Sequence, residues 1–269
     1  MKFSVVLSTQ PAQFQAATFT GRMESNLAAI AAMGYDGVEL AIRDPALVDL
    51  ARLRQAVERC QLAVPAIGTG QAWGEEGLSF TDPDASVRQK AVERILSHIP
   101  VAAAFDAVII IGLIRGLVRP GVRQEQAEAW LCESLQSCAR AAAGAGVRLA
   151  LEPINRYETS LVNTAAQGLD LIARVGAANF GLLLDTFHMN IEEPSIEDSI
   201  RACGEHIFHF HVADSNRLYP GGGHLDFRSI FSSLQSTGYQ GWVSGEFLPR
   251  PDAETAAQKS LEHLRKMIA

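Results

Sequence analysis

The chain has 269 residues, 48% of them hydrophobic and 20% charged, which is enough for a large core and close to the usual size of an α/β barrel. Its 23 basic and 30 acidic residues give a net charge of −7 and a pI near 5.5, which argues against a sequence-independent grip on nucleic acid or on an anionic membrane. In chain order, the opening MKFSVVLSTQ is too short and too polar for a signal peptide or a membrane span, and it reads as a first strand over 3–8. Further β-branched or aliphatic runs follow at 37–42, 63–69, 107–112, 148–154, 180–186, 207–213 and 242–248. Helical patterns separate them at 21–33, 46–61, 84–104, 122–144, 164–175, 195–204, 226–237 and 253–268, with Thr164, Ser195 and Asp226 standing where N-caps belong.

Regular alternation of strand and helix implies a parallel sheet with right-handed crossovers. Runs such as AVIIIG at 107–112 are apolar throughout, as strands covered on both faces are. Eight units without a ninth strand, and no GxGxxG after the first, favour a closed (β/α)8 TIM barrel over an open dinucleotide-binding sheet. No linker divides the chain, so one domain over 1–269 is expected. Cys60, Cys132, Cys138 and Cys203 fall in helical segments without a C-x-x-C pair, which suggests neither a disulfide framework nor a zinc knuckle and fits a reducing cytoplasm.

Catalytic groups of such barrels stand at the C-terminal ends of strands, so a polar residue closing an apolar strand is the informative signal. Four successive strands carry one: Glu152, Asp185, His211 and Glu246, spaced by 33, 26 and 35 residues, one β/α unit each. Taken singly, each reads equally well as a helix cap or an ion-pair partner. Together they bring three carboxylates and an imidazole to one rim, and the carboxylates would repel one another unless a cation joined them. A single divalent ion is therefore expected, with Mn²⁺, Mg²⁺ and Co²⁺ suited to the oxygen-rich set and Zn²⁺ also compatible. Glu158, His188 and Arg217 lie in the following loops, within reach of the mouth, where Glu158 and His188 read either as substrate contacts or as solvated loop residues, the latter being the plainer reading of Glu158. His209 points to the same side of its strand as His211, one layer deeper, and reads as a hydrogen-bonded core histidine. His224, in the glycine-rich loop 220–224, reads as structural. Arg43 and Arg115 follow strands two and four; each reads as an ordinary surface arginine or, at the mouth of an acidic protein, as a guanidinium that binds a substrate carboxylate or phosphate, which suggests a sugar acid.

The segments LEPINRYET at 151–159, LLDTFHMNIEE at 183–193, FHFHVADSNRLYPGGGH at 208–224 and GEF at 245–247 resemble those of the xylose-isomerase-like sugar isomerases and epimerases, in particular the D-tagatose 3-epimerase type. The resemblance spans essentially the whole chain. It implies that Glu152, Asp185, His211 and Glu246 ligate one Mn²⁺ or similar ion, and that Glu158, His188 and Arg217 contact the sugar. AIRDP at 41–45, AIGTGQAW at 66–73 and IIGLIRG at 110–116 further resemble the 5-keto-L-gluconate epimerases of inositol catabolism, which implies a keto-sugar acid converted to D-tagaturonate. Related epimerases commonly associate into oligomers, and no residue of this chain decides that point.

The chemistry expected of such a site is proton removal from the carbon beside a ketone, followed by proton return on the opposite face, with Glu152 and Glu246 as the acid–base pair. An aldose–ketose isomerase or ketose 3-epimerase acting on neutral sugars is the nearest alternative, and an inosose dehydratase starts from the same enolate. A DNA-repair endonuclease on the same barrel would need several zinc ions and a basic groove, which seven histidines and a charge of −7 do not suit.

Overall fold

The apolar runs become strands where their residues can be covered on both faces. In the computed structural model, which describes residues 1–11 and 13–268, the barrel strands are β1 (Lys2–Ser8), β2 (Glu39–Ala41), β3 (Ala66–Gly68), β4 (Val108–Ile111), β5 (Leu149–Leu151), β6 (Phe180–Asp185), β7 (Ile207–Val212) and β8 (Trp242–Gly245). Each pairs in parallel with the next, and β8 pairs back onto β1, with Lys2 beside Trp242 and Val5 beside Gly245. Ring closure leaves no barrel strand with an open edge. The two-residue strand Phe19–Thr20 adds to β1 near the mouth. The helices are α1 (Met23–Met33), α2 (Leu50–Arg59), α3 (Gln71–Glu76), α4 (Ala85–Phe105), α5 (Gln124–Ala143), α6 (Ala165–Val175), α7 (Thr186–Glu192), α8 (Ile196–Cys203), α9 (Phe227–Ser236) and α10 (Ala253–Ile268). The architecture is the (β/α)8 barrel that the alternation implies. None of these helices is long and apolar enough to cross a membrane.

Side-chain alternation sorts the core into two layers. Ile67, Ile109, Ile111, Leu149, Leu151, Leu182 and Leu184 belong to the large cluster shared with the helices, whereas Ala66, Val108, Ile110, Ala150 and Leu183 form a separate cluster inside the barrel. The capping expectations hold. Thr164 accepts from the Gln167 amide in a capping box, Ser195 from that of Asp198, and Asp226 from those of Arg228 and Ser229. All barrel strands but β1 are shorter than their apolar runs, and at the C-terminal ends the remainder leaves the ladder for the loops that build the mouth. The short helices α3 and α7 were not anticipated: each begins directly after a strand or its connecting turn and is too brief to show a helical period.

One irregularity aims the site. Pairing between β6 and β7 jumps from Leu182–Ile207 to Leu183–His209, so Phe208 is bulged out of register. Phe208 packs on the interior cluster, in space that exists only because residue 181 is glycine. A Cβ at Gly181 would lie 2.7 Å from the His206 carbonyl oxygen and from Phe208 ring carbons. Gly181→Ala is therefore expected to cost about 1–3 kcal/mol, measured as a lower denaturant midpoint at unchanged slope. An unchanged midpoint would mean that the bulge yields freely.

Candidate metal centre

The four residues selected from strand ends do converge. Asp185 is the last residue of β6, His211 is the penultimate residue of β7, and Glu152 and Glu246 directly follow β5 and β8. One donor atom from each lies within 4.8 Å of all the others. His211 Nδ1 stands 4.0 Å from Glu152 Oε1, 3.8 Å from Asp185 Oδ2 and 3.9 Å from Glu246 Oε2. These gaps are too wide for hydrogen bonds and near the separation of about 3–3.6 Å expected between donors about 2.1 Å from a shared ion. His211 Nδ1 and Glu152 Oε1 are buried and have no hydrogen-bond partner among the described residues. Buried polar atoms left unpaired are costly, and these two turn to the same gap. The residues thus fit one divalent cation.

What fixes the imidazole is Glu39, in the middle of the apolar run of β2. His211 Nε2 lies 2.9 and 3.0 Å from the two Glu39 oxygens, and His209 Nε2 lies 2.8 Å from Glu39 Oε2. A carboxylate at Nε2 holds the proton there and leaves the Nδ1 lone pair free for a metal, the usual outer-shell support of a histidine ligand. Glu39, His209 and His211 also form a group of potential ligands. Both histidine Nε2 atoms are already at hydrogen-bond distance from Glu39, so the carboxylate is engaged by its two neighbours. His209 is the bonded core histidine expected from its position.

Burial dominates the electrostatics. It pushes Glu152 well above the ordinary carboxylate range, with Glu246 adding to the effect, and takes Glu246 up to about 7 against the pull of His211 and Arg217. Asp185 is likewise raised by burial. Burial would lower His211, but Glu39 outweighs it and carries the imidazole up to about 10. Burial would raise Glu39 too, yet the facing histidines hold it below the ordinary range. Without an ion, the centre therefore balances its negative charge by retaining protons.

Glu158, His188 and Arg217 are placed around this centre as expected, and Asn155 joins them. His188 Nδ1 lies 2.7 Å from Asn155 Nδ2, a donor, so the ring proton belongs on Nε2, which is 3.6 Å from Glu152 Oε1. Burial, then Arg217, keeps His188 well below its usual pKa and hence neutral. Glu158 Oε1 accepts from Asn155 Nδ2 at 3.0 Å and from an Arg217 nitrogen at 2.9 Å. Arg217 also faces Glu246 at 3.6 Å and packs over the rings of Phe14 and Phe187. His224 is structural, paired with the Ser215 hydroxyl at 2.9 Å. Glu39 and Asn155 were missed from sequence.

Arg115 and Arg43 are not where the carboxylate reading needs them. The Arg115 guanidinium is fully buried and donates to the backbone carbonyls of Gly112, Glu152, Leu161 and Val162. Four of its five N–H donors brace β5 and the loop after it, and it does not line the cavity. Burial draws it down to about 10, partly offset by Glu152 and Glu158, and it remains a cation at neutral pH. Arg43 pairs with Glu76 at 3.3 Å, outside the cavity wall.

A cavity of about 240 Å³ opens over the centre, walled by Glu152, His188, His211, Arg217 and Glu246 together with Phe14, Gln71, Trp73 and Leu113. Residues 27–267 match the family model described as xylose isomerase-like TIM barrel. The chain belongs to the xylose isomerase-like TIM-barrel family. Among curated relatives, L-ribulose 3-epimerase of Mesorhizobium japonicum is 34% identical over 238 residues, 87% of this chain and 78% of that one. 3-Dehydro-D-guloside 4-epimerase of Escherichia coli is 29% identical over 87% of this chain and 90% of its own. The crystal structure of D-allulose 3-epimerase from Methylomonas sp. in complex with D-allulose superposes with a TM-score of 0.85 at 26% identity, covering 99% of this chain and 97% of that one.

Removing the brace on His211 should weaken the centre without dismantling the barrel. Glu39→Gln is expected to lower divalent-metal affinity roughly 10- to 100-fold in calorimetric titration, with the circular dichroism spectrum retained. Wild-type affinity in this variant would show that the imidazole needs no such support.

Proposed function

We propose that the chain is a divalent-metal-dependent carbohydrate epimerase that inverts the carbon beside the ketone of its substrate. The observation that carries this reading is the pair Glu152 and Glu246: two carboxylates of one centre, the first buried and the second partly so, from β5 and β8, strands with two others between them. Carboxylates so placed can reach a substrate from different sides. The relatives support the same position of attack, since carbon 3 of a 2-ketose and carbon 4 of a 3-keto sugar both adjoin the ketone.

A carbon-bound hydrogen beside a ketone is weakly acidic, and one carboxylate removes it while the other delivers a proton to the opposite face, the roles exchanging with reaction direction. The cation held by Glu152, Asp185, His211 and Glu246, which we take to be Mn²⁺ with Mg²⁺, Co²⁺ or Zn²⁺ as the other candidates, would supply Lewis-acid stabilisation of charge on the ketone oxygen. Neutral His188 donates from Nε2 towards a substrate oxygen near Glu152. Arg217, held by Glu158, orients the sugar and keeps positive charge beside Glu246.

For the substrate, 5-keto-L-gluconate giving D-tagaturonate is the proposal that AIRDP, AIGTGQAW and IIGLIRG support, and it would place the enzyme in inositol catabolism. With Arg115 and Arg43 engaged elsewhere, Arg217 is left to meet the acid group. A second reading, a neutral ketose, is favoured by that same observation: Arg217 is the sole Lys or Arg in the cavity wall among the described residues, and Glu158 already holds it. We take the barrel to act as one domain in the reducing cytoplasm, on a small sugar and without nucleic-acid or membrane partners.

Metal-loaded protein in D₂O with 5-keto-L-gluconate, L-ribulose or D-fructose is expected to give an epimer carrying deuterium beside the ketone, followed by NMR. Exchange with none of these sugars would overturn the epimerase reading. Glu152→Gln and Glu246→Gln should each lower turnover at least about 100-fold while the protein stays folded, and near-wild-type activity in either would remove that residue from the acid–base pair.

A further inference from the structure

We propose that Gln71 is a specificity-determining residue that accepts a hydrogen bond from a hydroxyl of the bound sugar. The assignment rests on the epimerase reading and adds a contact on the cavity wall to those of His188 and Arg217. Gln71 opens α3 directly beyond β3, inside AIGTGQAW, and its side chain lines the cavity while only 7% exposed.

The orientation of its amide follows from proton counting. Ser8 Oγ lies 2.6 Å from the Gln10 carbonyl oxygen, which can only accept, so the single hydroxyl hydrogen of Ser8 is committed there. Ser8 Oγ must therefore accept at its other contact, 2.9 Å from Gln71, which places Nε2 against Ser8 and turns Oε1 away from it. Gln10 is pinned in turn: its Oε1 accepts from the Arg43 and Asp44 amides, each at 3.0 Å, and its Nε2 donates to the Asp44 carbonyl at 2.8 Å. The loops after β1 and β2 are thereby tied through Ser8 to the residue that follows β3. This chain of bonds links AIRDP to AIGTGQAW, two stretches outside the metal ligands.

It ends on an atom without a partner. Gln71 Oε1 is buried and finds no donor among the described residues. The two other unpaired buried atoms on the wall, Glu152 Oε1 and His211 Nδ1, turn to the metal gap, while Thr69 is engaged with the Ile110 carbonyl at 2.6 Å and His188 with Asn155. A rigidly held, unpaired acceptor on a ligand cavity calls for a donor from the ligand, and on a sugar the donor is a hydroxyl. A carboxylate or phosphate would meet it oxygen against oxygen. A keto acid therefore binds with its acid group elsewhere.

The test pairs Gln71→Met and Gln71→Leu, which keep bulk and lose the acceptor, with 5-keto-L-gluconate, L-ribulose and their monodeoxy analogues. Loss of one neutral hydrogen bond is expected to lower kcat/KM of the parent sugar about three- to tenfold, chiefly through KM, with metal affinity unchanged. One deoxy analogue should show the same loss with wild-type enzyme and no further loss with the variants, as a thermodynamic cycle requires of a shared bond. Equal losses in wild type and variants for every analogue would overturn the assignment. If no sugar is turned over, calorimetric binding to the metal-loaded protein reads the same coupling, so failure of the epimerase reading and failure of the Gln71 contact remain distinguishable. A protein that binds none of these sugars overturns both.

Discussion

Three carboxylates and one imidazole within 4.8 Å, all but Glu246 buried, form an arrangement that positive charge must complete. The surrounding structure answers to that requirement. Glu39 secures the imidazole in the form that leaves Nδ1 free, the bulge at Phe208 lets His209 and His211 both face inward to reach Glu39, and Gly181 makes space for the bulge. On the mouth side, Arg217 lies against Glu246 and Glu158 and stacks on Phe14 and Phe187. Fixed cations beside the centre are thus either engaged by its own acids or, like Arg115, enclosed by backbone carbonyls. The remaining charge is left to a diffusible ion.

The division of labour proposed for the carboxylates rests on their surroundings. Asp185 also caps α7, accepting from the Phe187 amide at 2.7 Å, so its second oxygen has a structural task. Glu152 and Glu246 carry no such cap, stand next to His188 and Arg217 respectively, and are the two acids that line the cavity from β5 and β8. A protein that must both hold an ion and move a proton can use the less constrained ligands for the second task.

Much of this was legible in the sequence, for a physical reason: in a closed barrel, the residue that ends an apolar strand has only the mouth to face. Glu152, Asp185, His211 and Glu246 are found by that rule, and His209 by the two-residue period of a strand. Glu39 was missed because it lies inside an apolar run, although a carboxylate within GVELAI is itself a signal, since a buried acid must have a partner. Asn155 and Gln71 escaped for another reason. Their roles depend on which atom of a neighbouring loop lies opposite, and loops in different β/α units meet only in three dimensions. Arg115 shows the reverse error: it closes the single turn of 3-10 helix that follows β4, turns back under Gly112 and spends donors on carbonyls. Position at a strand end places a backbone at the mouth, while the direction of a long side chain is decided by the loop.

The claim on which the account depends is that the gap among Glu152, Asp185, His211 Nδ1 and Glu246 is the ion site, and that the Glu39 cluster is its support. Anomalous diffraction from crystals of this protein grown with Mn²⁺ tests it directly. The account requires one manganese peak per chain, lying between those four side chains with His211 Nε2 still bonded to Glu39. A peak between Glu39, His209 and His211, or none at the mouth of the barrel, would contradict it.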